Sequence, residues 1–268
     1  MSRIDKSESE EADILSEDGS FFIIAAQHAL TPDAVPLCFA EQVKRSRRPL
    51  ASEKELLMSV LNKIAFFQNR RDEIPNQALA RELATAKDAG GIAEIAENLW
   101  HKEPNVQSDC LKVLYEIGYL DPSLIAAYAE DFLRLLKSKN NRLVWGSMIA
   151  LSTIAELQAE KIFPHLETIQ KTMEKGSVIT VDAGVMVLAG LAAGNDERSR
   201  VIIPHLLKHL ESCRLKEVPK HAEKTLPAIN AENKDAFIAI LKKRLEAMTA
   251  AQASRVRRVI LQAEQHNK

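Results

Sequence analysis

An internal repeat of apolar residues constrains this chain more than any other feature. From Leu143, apolar or small residues recur at offsets 4, 7, 8 and 11, which is the buried stripe of an amphipathic helix. The same template fits from Val106, Ser177 and Val218, so the starts lie 37, 34 and 41 residues apart. Periods in this range are typical of stacked helix pairs, in which each pair buries its apolar face on its neighbours. The repeat therefore predicts an all-α protein.

The segments between these templates supply the partner helix of each pair. The motif IFPHL at Ile162–Leu166 returns as IIPHL at Ile202–Leu206, forty residues later. Proline is tolerated near the start of a helix, where the first N–H groups have no intrahelical acceptor. The other partner helices are predicted at Gly91–Trp100, Leu124–Lys137 and Ala236–Met248, and the helical pattern from Ala236 continues to Gln262.

At these turn-plus-helix segments the chain resembles the HEAT-like repeat family. The resemblance covers about Gly91 to Met248 and is carried by Glu103–Val106, Lys139–Leu143 and Lys175–Ser177. It implies a right-handed α–α superhelix, a solenoid of the HEAT or armadillo kind. That family often has an arginine after the first template position, which forms a ladder between repeats. Here the position holds Gln107, Val144, Val178 and Pro219, so no such ladder is expected.

Residues 21–90 are predicted to be an N-terminal segment with diverged capping helices, followed by repeats over residues 91–268 that end in a basic capping helix. Residues 1–20 hold seven acidic and two basic side chains and are predicted to be a mobile tail. Phe21–Leu30 is apolar enough to form a buried strand or helical turn. A capping box of Ser52 and Glu55 predicts a helix over Ser52–Gln68, and a further helix is predicted over Asn76–Lys87. End units of a stack must differ from the others, because one face meets water.

The strongest candidate site is an apolar stripe on the template helices. In helical repeats the second helix of each pair lines the concave surface, and offsets 2, 5, 6 and 9 face away from the core. Exposed apolar patches rich in Trp, Tyr and Met mark protein interfaces, so a protein or peptide partner is expected. Alternatively these residues are core, because the superhelix curls tightly or a segment such as Phe21–Leu30 covers them. The predicted concave-face residues are Leu111, Tyr115, Trp145, Met148, Ile149, Ile179, Asp182 and Met186.

Nucleic acid is the alternative partner. The basic patch of Lys44, Arg45, Arg47 and Arg48 is either a solvated loop or a site for phosphate or acidic groups. From residue 201 onward the chain has 13 Lys and Arg against 7 Asp and Glu, although the whole chain has a net charge of −1. Some HEAT-like proteins are DNA glycosylases that act on alkylated bases with concave-face aromatic and carboxylate residues. Duplex binding relies on phosphate neutralisation, and the stripe has few cations, which disfavours this alternative.

No sequence motif indicates catalysis. His205 and His209 are four residues apart, but no Glu follows His205 and the chain contains no His-Glu dipeptide, which disfavours a metallohydrolase or di-iron site. Phosphate-binding, dinucleotide and GxSxG motifs are missing, and three cysteines are too few for a disulfide framework. We therefore expect no metal and no cofactor. The acidic N-terminus and the lack of an 18-residue apolar run favour a cytoplasmic, non-enzymatic scaffold of undetermined oligomeric state.

Overall fold

The computed structural model describes residues 59–265, and within this range the chain forms helices and no β-strand. The predicted acidic tail, the Phe21–Leu30 segment and the basic patch at residues 44–48 lie outside the described residues. The α-helices are α1 Ile74–Ala86, α2 Ala89–Glu97, α3 Pro104–Leu120, α4 Ala129–Leu135, α5 Asn141–Ile154, α6 Ala159–Ile162, α7 Leu166–Lys175, α8 Val178–Ala192, α9 Asp196–Ser212, α10 Val218–Thr225, α11 Lys234–Leu245 and α12 Ala250–Gln265.

Side-chain caps fix where the repeated helices begin. The Asn140 Oδ1 atom accepts from the Arg142 N–H at 3.0 Å before α5, and the Asn195 Oδ1 atom accepts from the Arg198 N–H at 2.8 Å before α9. Ser177 caps α8 in the same way, through the Thr180 N–H. These oxygens satisfy N–H groups that have no acceptor inside the helix.

The helices form two layers that run in chain order. The first layer contains α1, α3, α5, α8, α10 and α12, each packed against the next, and the second contains α2, α4, α6 with α7, α9 and α11. Each second-layer helix also packs against the first-layer helix that follows it. The predicted helix pairs are thus confirmed, and the described part of the chain is an all-α solenoid.

The template residues fill the space between the layers. Cys110, Val113, Leu114 and Ile117 of α3 have no exposed surface, and Ala150, Leu151 and Ile154 of α5 repeat this pattern. Burying one such side chain stabilises the fold by roughly 1.5–3 kcal/mol before the entropic costs of folding. The buried stripe predicted at template offsets 4, 7, 8 and 11 therefore holds the two layers together.

Glycines allow two pairs of neighbouring segments to approach closely. A Cβ atom on Gly118 of α3 would lie 2.8 Å from the Ile125 Cδ1 atom and closer still to Thr153 of α5. A Cβ atom on Gly184 of α8 would lie 2.6 Å from the Met173 Sδ atom of α7. Real Cβ atoms do not approach other atoms so closely, so each glycine provides a notch for a neighbouring side chain.

Two predicted helices differ from the structure. Of the helix expected over Ser52–Gln68, residues 52–58 with the capping box lie outside the described residues, and the rest is a 3-10 turn at Val60–Lys63 followed by turns. There Asn76 and Asp109 accept the backbone N–H groups of Ala65 and Phe66. The helix expected over Ala236–Gln262 is broken between Leu245 and Ala250. There Thr249 and Gln252 form a capping box that starts α12 anew. In residues 59–265, no helix is long and apolar enough to span a membrane.

Candidate functional site

A cleft of about 930 Å³ opens beside the first three helices of the first layer. Its walls are the segment 65–73, the start of α1, and the outward sides of α3 and α5. The lining residues are Ala65, Phe66, Phe67, Asn69, Arg70, Arg71, Asp72, Glu73, Asn76, Asn105, Ser108, Asp109, Leu111, Lys112, Tyr115, Arg142, Trp145 and Gly146.

Side-chain hydrogen bonds from Asn76 and Asp109 hold the wall formed by residues 65–73. The Asn76 Oδ1 atom accepts from the Ala65 N–H and the Asp109 Oδ2 atom accepts from the Phe66 N–H, both at 2.8 Å. The Asn76 Nδ2 group donates to the Asp109 Oδ1 atom at 2.9 Å and links the two acceptors. Phe66 and Phe67 remain 36% and 43% exposed at the cleft. The backbone beneath these two rings is therefore fixed while the rings remain available for contact.

The floor of the cleft is aromatic. The ring centroids of Tyr115 and Trp145 lie 6.2 Å apart, and Trp145 is half-buried while Tyr115 is 5% exposed. Burial raises the pKa of Tyr115 to about 12, so this phenol stays neutral. The Lys112 Nζ atom lies 4.8 Å from the centre of the Tyr115 ring, in the position of a cation–π contact.

Two cations of the cleft, Lys112 and Arg70, are paired with carboxylates. The Lys112 Nζ atom is 2.7 Å from carboxylate oxygens of both Glu73 and Glu116. Although burial opposes it, these two partners hold the pKa of Lys112 above its ordinary value. Arg70 pairs with Asp72 through two hydrogen bonds of 2.9 and 3.0 Å.

Two further arginines line the same cleft. With the described residues, the side chains of Arg71 and Arg142 make no hydrogen bond or ion pair. A guanidinium without a partner keeps all of its donors for a ligand. Within residues 59–265, the cleft therefore holds two guanidinium groups without partners beside its aromatic side chains.

Only part of the predicted stripe lines this cleft. Leu111, Tyr115 and Trp145 line it, whereas Ile179, Asp182 and Met186 lie further along the first layer. Ile179 is 47% exposed and Met186 is half-buried. Their role in binding stays a prediction.

The alternative, that residues of the stripe belong to the core, holds for several of them. Leu111, Met148 and Ile149 are buried members of the core. The reason is visible at Gly146, where a Cβ atom would lie 2.7 Å from the Leu111 Cδ2 atom. Neighbouring first-layer helices approach so closely that offsets 5 and 6 become contacts between helices instead of open surface.

Asp182 was also predicted to face outward, and it lies buried in a polar network. Its carboxylate accepts from the Lys220 Nζ group and, at 2.8 Å, from the His221 Nε2–H group, while Lys224 donates to its backbone carbonyl. Burial raises the pKa of Asp182, but the Lys220 and His221 hydrogen bonds outweigh it and hold this pKa below the ordinary value.

The network continues from His221 to His209 of α9. The His209 Nε2 and His221 Nδ1 atoms are 2.9 Å apart. Because the ionised Asp182 can only accept, His221 carries its proton on Nε2, and His209 donates to the free Nδ1 atom. Burial lowers the pKa of His209 to about 4 and also lowers the pKa of His221, so both imidazoles are neutral near pH 7.

Sequence reasoning missed the segment that forms one cleft wall. Phe66 and Phe67 were assigned to the end of the helix predicted over Ser52–Gln68, and two adjacent aromatic residues were the available signal. The cluster around Asp182 was also missed. His209 was paired with His205 on its own helix, because the partner on α10 becomes visible only once the helices are packed.

No protein-family model matches the chain, and no curated protein matches it. Among solved structures, a designed armadillo repeat protein in complex with the peptide (KR)4 shares 17% identity, with a TM-score of 0.58 over 83% of this chain and 98% of its own. Computationally designed armadillo repeat proteins for modular peptide recognition share 16%, with a TM-score of 0.55 over 76% of this chain and 98% of theirs. An engineered protein shares 20%, with a TM-score of 0.54 over 76% and 96%. These likenesses show the armadillo-type solenoid fold.

Proposed function

We propose that this protein is a non-enzymatic scaffold that binds a peptide segment of a partner protein in the cleft between residues 65–73, α3 and α5. The observation that carries the proposal is that Arg71 and Arg142 line the same cleft as exposed aromatic rings. Within residues 59–265, neither arginine has a hydrogen-bond or ion-pair partner. Solenoids of this fold include proteins designed for peptide recognition, one of them in complex with (KR)4.

The charges of the cleft indicate which peptides fit. Of its lining side chains, Arg70, Arg71, Lys112 and Arg142 are cationic, while Asp72, Glu73 and Asp109 are acidic. Asp72 and Glu73 already have cationic partners, and Asp109 accepts two hydrogen bonds. The charge left for a ligand is therefore positive, and the proposed ligand is a segment that combines acidic with aromatic or aliphatic side chains.

The nucleic-acid alternative is weakened by pairing at the other end of the chain. Arg255 forms two hydrogen bonds to the carboxylate of Glu223, and Lys243 lies 3.0 Å from Glu211. Arg255 and Lys243 are thus neutralised locally, which leaves fewer cations at this end for phosphate contacts.

The test is a selection from a displayed library of random peptides, followed by fluorescence anisotropy with the best synthetic peptide. We expect acidic residues next to aromatic or aliphatic ones. The Arg71→Ala/Arg142→Ala variant should lose at least about tenfold in affinity, or about 1.4 kcal/mol. The Phe67→Ala and Trp145→Ala variants should also bind more weakly, because each removes an aromatic contact from the cleft.

Arg257→Ala is the matched control, since Arg257 is exposed on α12 and lies outside the cleft. It should leave affinity unchanged. Selected peptides that are basic, or that bind the double arginine variant as well as the wild type, would contradict the proposal. Raising the salt concentration should weaken binding to the wild type more than to the double variant, because exposed charge pairs are screened.

A further inference from the structure

A cluster of imidazole and thiol groups joins the end of α9 to the start of α10. His209 lies in the last turn of α9, and Cys213 follows four residues later at the C-terminal cap of that helix. His221 is in the first turns of α10. One nitrogen of each histidine and the Cys213 Sγ atom all lie within 4.8 Å of one another. The sequence places His209 and Cys213 on the same helix face, and packing of the solenoid brings His221 to them.

We propose that His209, Cys213 and His221 form a binding site for a zinc ion. The three residues supply two imidazole nitrogens and one thiolate sulfur, which are the donors that zinc prefers. Ligands about 2.0 Å from a tetrahedral centre lie about 3.3 Å from one another. The His209 Nε2 and His221 Nδ1 atoms, now 2.9 Å apart, need to separate only slightly to admit the ion.

Asp182 orients His221, one of the three proposed ligands. It accepts the His221 Nε2–H group at 2.8 Å, which leaves the lone pair on Nδ1 and directs it toward His209 and Cys213. Metal-binding histidines commonly donate their other N–H to a carboxylate, which fixes the tautomer and the ring orientation. Asp182 is itself anchored by Lys220 and, through its backbone carbonyl, by Lys224. His221 is thus oriented before any ion arrives.

The balance of protons is simple. His209 gives up its hydrogen bond to His221 by moving its proton from Nε2 to Nδ1, so that ring stays neutral. The Cys213 thiol releases its proton to solvent when the sulfur–zinc bond forms. Burial raises the pKa of the Cys213 thiol, and the charge of Arg244, which donates to the Cys213 backbone carbonyl, opposes that rise. Three protein ligands leave the fourth tetrahedral position to water.

A second group of carboxylates nearby is less suited to an ion. Asp182, Glu217 and His221 also have ligand atoms within 4.8 Å of one another. Asp182, however, already accepts from Lys220 and His221, and Glu217 lies 3.1 Å from the Arg214 guanidinium. An ion there would have to displace Lys220 and Arg214, whereas no Lys or Arg among the described residues forms an ion pair with the ligand atoms of His209, Cys213 and His221.

The test uses the full-length, tag-free protein with zinc or cobalt ions alone. The wild type should bind one equivalent of Zn²⁺ in equilibrium dialysis, and Co²⁺ should produce the charge-transfer absorption of a thiolate–cobalt bond. His209→Ala and Cys213→Ser should each lose that equivalent and that absorption. Both residues are partly exposed, so these variants should keep the helical circular dichroism of the wild type.

Two matched variants separate this site from general binding by histidine or cysteine. His205→Ala removes an exposed histidine one turn earlier on α9, and Cys110→Ala removes a buried thiol of the core. Both should retain the full equivalent. Failure of the wild type to bind, or full binding by either His209→Ala or Cys213→Ser, would overturn the proposal.

A measurement on the wild type alone guards against a folding defect in the variants. Zn²⁺ should protect Cys213 from alkylation, mapped by mass spectrometry, and a chelator should restore its reactivity. Equal alkylation of Cys213 with and without Zn²⁺ would overturn the site, whatever the variants show.

Discussion

At the scale of single residues, the fold depends on glycines at positions where a neighbouring side chain occupies the space that a Cβ atom would need. Gly118 receives Thr153 and Ile125, Gly184 receives Met173, and Gly146 receives Leu111. These notches bring helices to a distance at which larger residues interlock. They also explain why residues of the stripe expected to be open surface lie in the core.

Gly118→Ala should destabilise the protein by about 1–3 kcal/mol, because the new methyl group overlaps Thr153 and Ile125 and forces a shift. This steric loss should exceed the stability that alanine gains over glycine through its higher helix propensity, which is up to about 1 kcal/mol. Urea unfolding measures the difference. Gly90→Ala is the control, since its Cβ atom would lie 3.5 Å from the Asp88 Oδ1 atom in ordinary contact. If both substitutions had the same effect, the notch would not matter.

The sequence predicted buried residues better than it predicted their partners. Cys110, Leu114 and Leu151 fall at template offsets and are buried as expected. Periodicity identifies the side of a helix that meets a neighbour, but it carries no information on which residue lies across the contact. The pairing of His209 with His221 was therefore out of reach, as was the hydrogen bond between Asp182 and His221.

At the scale of helices, the ends are set by a few polar side chains. Asn140, Ser177 and Asn195 each accept a backbone N–H at the start of a helix. The starts of α3, α5, α8 and α10 lie within two residues of the predicted template positions. The missed break before α12 follows from Thr249 and Gln252, whose capping box was not recognised inside a continuous apolar pattern.

Asn140→Ala should cost about 1 kcal/mol of stability, because the Arg142 N–H loses its acceptor at the start of α5. Thermal and urea unfolding both report this change. Asn141→Ala tests the neighbouring residue, which is exposed at the first helical position. We expect little effect there. An equal loss in the two variants would show that the cap is not the source of stability.

At the scale of the whole molecule, contacts run between neighbours along the stack. The first-layer helix α10 packs against α8 on one side and α12 on the other, and α11 packs against α9. Stability in such a stack is approximately the sum of unit and interface contributions. The solenoid architecture of this chain was predictable from its sequence, because a repeat period near 37 residues is typical of stacked helix pairs.

Removing α12 by ending the chain at Met248 should loosen the stack locally. Val256 and Val259 of α12 are buried, so their loss exposes apolar surface of α10. Hydrogen exchange should then rise strongly in α10 and α11 and little in α3. The unfolding m-value should fall with the buried area removed. An even rise of exchange from α1 to α11 would contradict nearest-neighbour cohesion.

The order of the two layers has a consequence for biosynthesis. Each helix finds its main packing partners among elements that precede or follow it closely in the chain. A ribosome that has released the segment up to α5 has already supplied α1, α2 and α5, the main packing partners of α3 among the described residues. Folding with such local contacts is fast and does not need the distant end of the chain. The nascent protein can therefore bury its apolar stripes one unit at a time as it emerges. The newest helix pair exposes its apolar face until the next pair packs against it.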